Sequence, residues 1–351
     1  MTSDDRERVE ALCRAIWHTA PRAVEPIPAG LGLRRFHRVR FASGHGAPPS
    51  AIARVEAAED PAGRPDGVPP EPALEPIRAL LEAAGLPVPA HLATSPDGTL
   101  TLLEDLGDTT LEDVARRDRA RARRLLERAA GDLPRLQAIA DPGGVAAFQR
   151  RLDATLFAYK ARLFSRHSLP LALGRAPTPA ECGVVASAFA GIARTCAAAP
   201  QRLAHRDFQS RNLLVAGDRV RWIDLQGAFL APPEYDLVCL LRDSYVEWDE
   251  AVVDAVCAAI RPRLPDAPDP ASFARRFDLL TLTRKGKDHA RFLYVHETRG
   301  DPSALAAVGP TTRHLKRAAA RVERATPELG QLVDWVRALP DAAPDPGPEP
   351  G

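Results

Sequence analysis

The sequence predicts an α+β fold of two unlike lobes, a small antiparallel-sheet lobe at residues 1–106 and a larger, mainly helical lobe at 107–339. Three observations carry that reading. At 351 residues the chain exceeds the roughly 250–300 at which a single hydrophobic core stops growing. Short alternating segments bounded by Gly and Pro crowd its first third. From Leu111 onward apolar residues recur at helical spacing instead.

Taken in order, residues 4–19 read as a helix, followed by a Pro-rich link. "GLGLRRFHRVRF" is a glycine turn running into a strand, and "SAIARVE" is a second strand. After a loop rich in Pro, Gly and Asp at 58–70, "EPALEPIRALLEAAG" sets Leu74, Ile77, Leu80, Leu81 and Ala84 on one helix face, with Gly85 as the stop. Strands are expected near 88–94 and 99–104. Amphipathic helices are expected at 111–139, 144–167, 178–197, 248–262, 271–298 and 311–338. Residues 340–351, ending in "DPGPEPG", carry too little apolar surface to order themselves and are expected to be disordered. No internal repeat is present.

Composition excludes several classes of function. A formal net charge of +1 offers neither nucleic acid nor an acidic membrane an obvious partner. The arginine-rich stretches at 116–124 and 313–324 have apolar residues interleaved and acidic neighbours, so they read as solvated helix faces; an RNA-binding role ranks last. The longest uncharged apolar stretch, "GVVASAFAGIA" from Gly183, falls far short of the roughly 20 residues that span a bilayer. With the polar start "MTSDDRERVE", the expectation is a cytoplasmic chain with no signal peptide and no obligate protein partner. Cys13, Cys182, Cys196, Cys239 and Cys257 are scattered and form no CxxC, which favours reduced thiols over a zinc site or disulfides.

One stretch stands apart. "HRDFQSRN", residues 205–212, holds the chain's one asparagine, Asn212. It runs into "LLVAGDRVRWID", which reads as a strand, a Gly217-Asp218 turn and a second strand ending at Asp224. A two-residue turn there sets Ala216 opposite Arg219 and Asn212 opposite Ile223, one step from Asp224. An amide oxygen and a carboxylate then meet at the open end of one hairpin. Cross-strand neighbours lie about 4.5–5.5 Å apart at Cβ, close enough to share a magnesium ion whose oxygen ligands sit at about 2.0–2.1 Å. Asp207 lies on the loop feeding the hairpin. This is the equipment of phosphoryl transfer, in which metal neutralises phosphate oxygens while a carboxylate orients the attacking hydroxyl and accepts its proton. Asp207 is the candidate base, and Asn212 and Asp224 the candidate metal ligands. As mere scaffold, an H-x-D is a turn-capping Asp above a packed His, and His205 itself reads that way. The longer H-x-D-x-x-x-x-N, with a hairpin ending in Asp, is much harder to produce without chemistry.

"HRDFQSRNLLV" and "WIDLQGA" resemble the catalytic and metal-binding segments of the protein-kinase-like superfamily. The Phe-Gln after Asp207, and "IDLQGA" in place of DFG, are more similar to the branch of aminoglycoside phosphotransferases and choline kinases. Within it, "GLRRFHRVR", "LLEDLGD" and "APPEYDLVCLLRDSYVEWDE" resemble the bacterial anomeric kinases of N-acetylmuramic acid and N-acetylglucosamine. The resemblance runs in order from about residue 28 to 250 and weakly to about 338.

The resemblance implies a bilobal protein-kinase-like fold, ATP and Mg2+ as cofactors, a small sugar as acceptor, Asp207 as base, and Asn212 and Asp224 as metal ligands. It implies that the turn with Gly30, Gly32, Arg34 and Arg35 covers the ATP phosphates, and that Glu104, Asp105 and Leu106 form the hinge facing adenine. Arg211, Gln226, Arg242, Asp243 and Glu247 are expected along the acceptor cleft, and Asp236 as a brace of the catalytic loop. Three departures stand out. Arg54 occupies the place of a phosphate-binding lysine, for which it is no neutral substitute; its expected ion-pair partner is Glu75, or Glu71 one turn earlier. Gly227 replaces an acidic residue, and "VEAAED" lacks the expected prolines. Two alternatives remain at this point: an aminoglycoside- or choline-type phosphotransferase acting on another hydroxyl, and a nucleotide-binding pseudokinase acting as a partner protein.

Overall fold

The computed structural model describes residues 3–28, 34–43, 46–56, 70, 72–300, 302–323 and 326–342. The chain begins with helix α1 (Ser3–Trp17) and strands β1 (Ala23–Ile27), β2 (Arg35–Arg40) and β3 (Ser50–Val55). Helix α2 (Leu74–Ala83) and strands β4 (His91–Thr94) and β5 (Leu100–Glu104) follow. The strands make one antiparallel sheet in the order β1-β2-β3-β5-β4. Strand alternation sorts the faces. Val39, Ala51, Ala53, Val55 and Leu102 join Val9, Leu12 and Cys13 of α1 in a small core. On the other face Leu103 belongs to the larger core of the helical lobe, and Ile52 packs against it. Strand β1 corrects the reading of its segment as a link: Pro26 is accommodated because β1 lies at the sheet edge, where a missing N–H need not break a ladder.

The second lobe starts with α3 (Leu111–Arg117) and α4 (Arg119–Gln137), a single stretch by periodicity that breaks where Asp118 accepts from Arg121 N at 2.9 Å and caps α4. Helix α5 (Ala154–Leu163) runs through a π-helical turn at 164–168 into α6 (Leu169–Leu173). Helix α7 (Pro179–Ala197) opens on a Thr178–Glu181 capping box. Four short strands come next, β6 (Arg202–Ala204), β7 (Leu213–Ala216), β8 (Arg219–Trp222) and β9 (Phe229–Ala231), paired β6 with β9 and β7 with β8. Helices α8 (Tyr235–Leu241), α9 (Glu250–Ile260), α10 (Pro270–Arg299), α11 (Val308–Val322) and α12 (Gly330–Ala338) complete the lobe. Among the described residues no helix is long and apolar enough to cross a membrane. All five cysteines are unpaired.

The two lobes meet along the β7–β8 hairpin. Trp222 N donates to Pro87 O and Val215 N to Thr109 O, each at 2.7 Å. Leu74, Ile77 and Leu81 of α2 sink into the larger core, so this helix ties the sheet lobe to the helical one.

Candidate active site

Strand β6 delivers the chain to His205, and Asp236 in the first turn of α8 grips the loop that follows. Its carboxylate accepts from His205 N at 2.7 Å and from Arg206 N at 3.0 Å. That double hold sustains Arg206 at φ +82°, a left-handed conformation that is costly for a residue with a Cβ. His205 is scaffold: it is buried, burial lowers its pKa and keeps it neutral, and Nε2 donates to Ile223 O at 2.9 Å. Phe208 packs edge-on to Trp222 with ring centroids 4.8 Å apart. The hairpin has the register its length demands, with Ala216 facing Arg219, Leu213 facing Trp222, and Gly217 at φ +60° in the turn. Ile223 N donates to Asn212 O at 3.0 Å, which brings Asn212 and Asp224 to the hairpin's open end. Asn212 Nδ2 donates to Asp207 O at 2.8 Å and fixes the amide. Asp224 adopts φ +66°, and its Oδ1 accepts from Gln226 Nε2 at 2.6 Å. An amide oxygen and a carboxylate oxygen are hard donors of the kind magnesium takes, and magnesium fills its remaining positions with water and phosphate.

The partner of Asp207 comes from far along the chain. Arg284, in the middle of α10, is buried and donates from Nη2 to Asp207 Oδ1 at 2.7 Å; Arg206 Nε lies 3.8 Å from Oδ2. Burial pushes the Asp207 carboxyl upward, but Arg284, Arg206 and Lys287 outweigh it and hold the group well below the usual carboxylate range. Arg284 also pairs with Asp288 at 3.3 Å, and the same carboxylate takes Lys285 at 2.9 Å and Lys287 at 2.8 Å. Around Asp207, Arg206, Arg284, Lys285 and Lys287 are thus interleaved with Asp288, and with Asp236 and Asp243 on the neighbouring elements.

On the sheet lobe, Arg54 lies across from Phe36 and Thr101, on the face shared with Ile52 and turned toward the helical lobe. It is buried and pairs with Glu56, which also takes Arg34 Nε at 3.3 Å. The expected pair with Glu75 is corrected: Glu75 is held by Arg78, three residues on in the same helix, at 3.0 Å. Glu71, Gly30 and Gly32 lie outside the described residues. Arg35 is corrected too. Strand alternation sends it to the α1 face, opposite Arg54, where Asp5 binds it at 2.6 and 2.9 Å. At the junction of the lobes, the Glu104 carboxylate accepts from Ala90 N at 3.0 Å and from Arg221. Arg38 of β2 clamps the segment by donating to Asp105 at 2.8 Å and to Asp108 at 2.7 Å, beside a buried Leu106.

Residues 26–273 match the phosphotransferase enzyme family. The chain belongs to that family. Relatives of this phosphotransferase include the N-acetylmuramate/N-acetylglucosamine kinase of Pseudomonas aeruginosa, 29% identical over 289 residues that cover 79% of this chain and 82% of the relative. The protein of the same name from Neisseria meningitidis serogroup B is 27% identical over 318 residues, 88% of this chain and 89% of the relative. Among solved structures, choline kinase LicA from Streptococcus pneumoniae aligns with a TM-score of 0.61 at 12% identity, over 91% of this chain and all of that one (100%). An ADP-bound aminoglycoside phosphotransferase aligns with a TM-score of 0.53 at 16% identity, over 89% and 97%. At these identities the structural likeness is one of fold, the bilobal α+β architecture.

In this phosphotransferase the residues expected along the acceptor cleft separate. Arg211 is exposed, binds Glu112 at 2.6 Å and stacks 3.6 Å over the Tyr245 ring. Gln226 is buried against Asp224, and Glu247 is taken up by Arg313 and Arg317 at 2.8 and 2.9 Å. Arg242 and Asp243 are corrected, since both are buried and engaged in the interior. Arg242 pairs with Glu250, while Asp243 accepts from Ser210 N at 2.7 Å and Tyr245 N at 3.0 Å and so supports the loop at 205–212. Sequence reasoning missed Arg284, Lys285, Lys287 and Asp288. Their signal is "RKGKD", a charged run with two of the chain's few lysines in the middle of a long helix.

Proposed function

We propose that this phosphotransferase moves the γ-phosphate of ATP to the anomeric hydroxyl of an N-acetylated amino sugar, N-acetylmuramic acid or N-acetylglucosamine, giving the sugar 1-phosphate. The observation that carries the reading is an ionised Asp207 paired with Arg284 and close to Arg206, beside an amide–carboxylate pair. Arg284 and Arg206 already pair with Asp207, so it offers a cationic acceptor such as choline or an aminoglycoside no unpaired carboxylate, whereas a neutral sugar needs none. The names of the relatives agree with this choice.

In the reading, residues 1–106 hold the nucleotide, with Arg54 and Arg34 toward its phosphates, and residues 107–339 hold the acceptor and the catalytic loop. Asn212 and Asp224 would hold Mg2+, which when bound neutralises phosphate charge. Asp207 orients the hydroxyl for in-line attack. Because Arg284 makes Asp207 a weak base, its carboxylate takes the proton only as the bond to phosphorus forms, which suits a loose phosphoryl-transfer transition state. Free thiols and an ATP donor fit a cytoplasmic reaction. The intact Asp207, Asn212 and Asp224 count against a pseudokinase.

The test is incubation with MgATP and a panel of amino sugars, aminoglycosides and choline, read by phosphorus NMR. The expected product is a sugar 1-phosphate, formed from the free sugar and not from its methyl glycoside. Turnover of the methyl glycoside excludes the anomeric regiochemistry. Asp207→Asn is expected to bind nucleotide as the parent does and to lose roughly 10²–10⁴-fold in kcat.

A further inference from the structure

We infer that Lys287 and Arg291 form a carboxylate-binding strip beside Asp207 that selects an acceptor carrying an acid group. The inference rests on the amino-sugar reading above. Arg284 fixes which face of α10 meets the base, and residues three, four and seven positions further on share that face: Lys287, Asp288 and Arg291. Lys287 and Arg291 are four apart, where two like charges repel instead of supporting the helix. Asp288 does not settle the imbalance, because Arg284 and Lys285 already share it.

The cationic heads are available. Among the described residues Lys287 Nζ has one partner, Asp288 Oδ1 at 2.8 Å, although an ammonium carries three donors. Arg291 has no ion pair or hydrogen bond among the described residues, and it is half-buried. Lys287, with its side chain 21% exposed, sits in the wall of the site. Burial first, then Arg284 and Lys287, lowers the neighbouring Lys160 ammonium to about 7. Next to the strip, the half-buried rings of Tyr245 and Phe292 pack edge to face at 5.9 Å and offer apolar surface to a pyranose.

The strip borders the acceptor and not the nucleotide. Helix α10 packs chiefly on α11, the π-helical turn at 164–168, α5 and the turn at 302–307 within the helical lobe, whereas Asn212 and Asp224 sit on the hairpin that is tied to Pro87 and Thr109 at the lobe junction. Along α10, Lys287 and Arg291 lie ~4.5 and ~10.5 Å of rise beyond Arg284, a span that takes in a substituent across the ring from an anomeric oxygen at Asp207. N-acetylmuramic acid carries its lactyl carboxylate on carbon 3, across the ring from the anomeric oxygen, and N-acetylglucosamine carries none.

The experiment compares kcat/KM for N-acetylmuramic acid, its neutral lactyl amide and N-acetylglucosamine in the parent enzyme, Lys287→Met and Arg291→Met. The parent is expected to favour the acid over the amide by roughly tenfold or more. In Arg291→Met that ratio falls toward one, through KM for the acid, while KM for ATP holds; in Lys287→Met, which also removes a cation acting on Asp207, the ratio falls likewise on top of any loss common to the three acceptors. A parent ratio near one overturns the inference without any variant. Equal losses on all three acceptors, or a raised KM for ATP, also overturn it, because the cations would then serve the nucleotide or Asp207. A parent that phosphorylates none of the three sugars sinks the amino-sugar reading, and this inference with it.

Discussion

At the residue level, the charge of Asp207 is guarded by Arg284 more than by anything in its own loop. Its folded pKa is depressed, so the stabilisation it contributes is fully present above the unfolded value of about 3.9 and is lost only as pH falls through the lower folded value. The acid limb of activity in the parent is therefore not set by this group. Replacing Arg284 by Gln lets the carboxyl climb, and the acid limb of kcat/KM is expected to move to higher pH. The lost alignment should also cost kcat roughly 10- to 100-fold. Arg284→Lys, which restores charge without the planar fork, should recover the limb better than the rate. Superimposable pH–rate profiles for parent and Gln variant would exclude the assignment. Asp207, Asn212 and Asp224 were legible in the sequence because their geometry is local, one loop and one hairpin with a two-residue turn. Arg284 was not, because its partner is 77 positions away and only packing brings them together.

At the scale of the element, α10 depends on a glycine. Gly286 lies between Lys285 and Lys287, and a Cβ there would come within 3.2 Å of the Phe164 ring and 3.6 Å of Phe189. The missing side chain lets α10 sit close to the π-helical turn at 164–168, and so lets Arg284 reach Asp207. Gly286→Val adds three carbons to that contact. It is expected to destabilise the fold by about 1–3 kcal/mol, read as a lower urea midpoint at unchanged m, and to lower kcat by shifting Arg284. A variant as stable and as active as the parent would show that the contact is slack. Periodicity foretold this helix almost to its ends, 271–298 against Pro270–Arg299, although residues 277–286 are buried on all its sides and not along one amphipathic face. It was silent on the polar middle, where charge is buried because it is paired. Arg242 and Asp243 were placed along the cleft by resemblance, which does not record that each is buried against partners of its own. The break at Asp118 and the edge strand β1 depend on a cap and on a neighbouring strand, neither of which periodicity records.

Across the whole molecule a net charge of +1 conceals a dense pairing of buried charges, with one ammonium left out of it among the described residues. Arg38 is matched by Asp105 and Asp108 at the junction, whereas Lys160, on α5 behind the catalytic loop, has no hydrogen-bond partner for its Nζ among the described residues. It lies over the rings of Phe157 and Tyr235 at 5.2 and 5.4 Å, which offsets only part of its desolvation. Burial first, then Arg284 and Lys287, lowers its pKa from 10.5 to about 7. The sign follows from proton counting. Between about pH 7 and 10.5 the unfolded chain holds a proton that the folded chain has released, so this group makes stability rise with pH. Below about 7 the fold carries a buried ammonium at full cost, ~1.4 kcal/mol for each unit separating the two values. Lys160→Met is therefore expected to raise the melting temperature most near pH 6.5 and progressively less toward pH 10. Thermal unfolding of parent and variant across that range measures the difference. A gain independent of pH would mean that Lys160 titrates like an exposed lysine, and a loss at pH 6.5 would mean that its contacts with the two rings outweigh its burial.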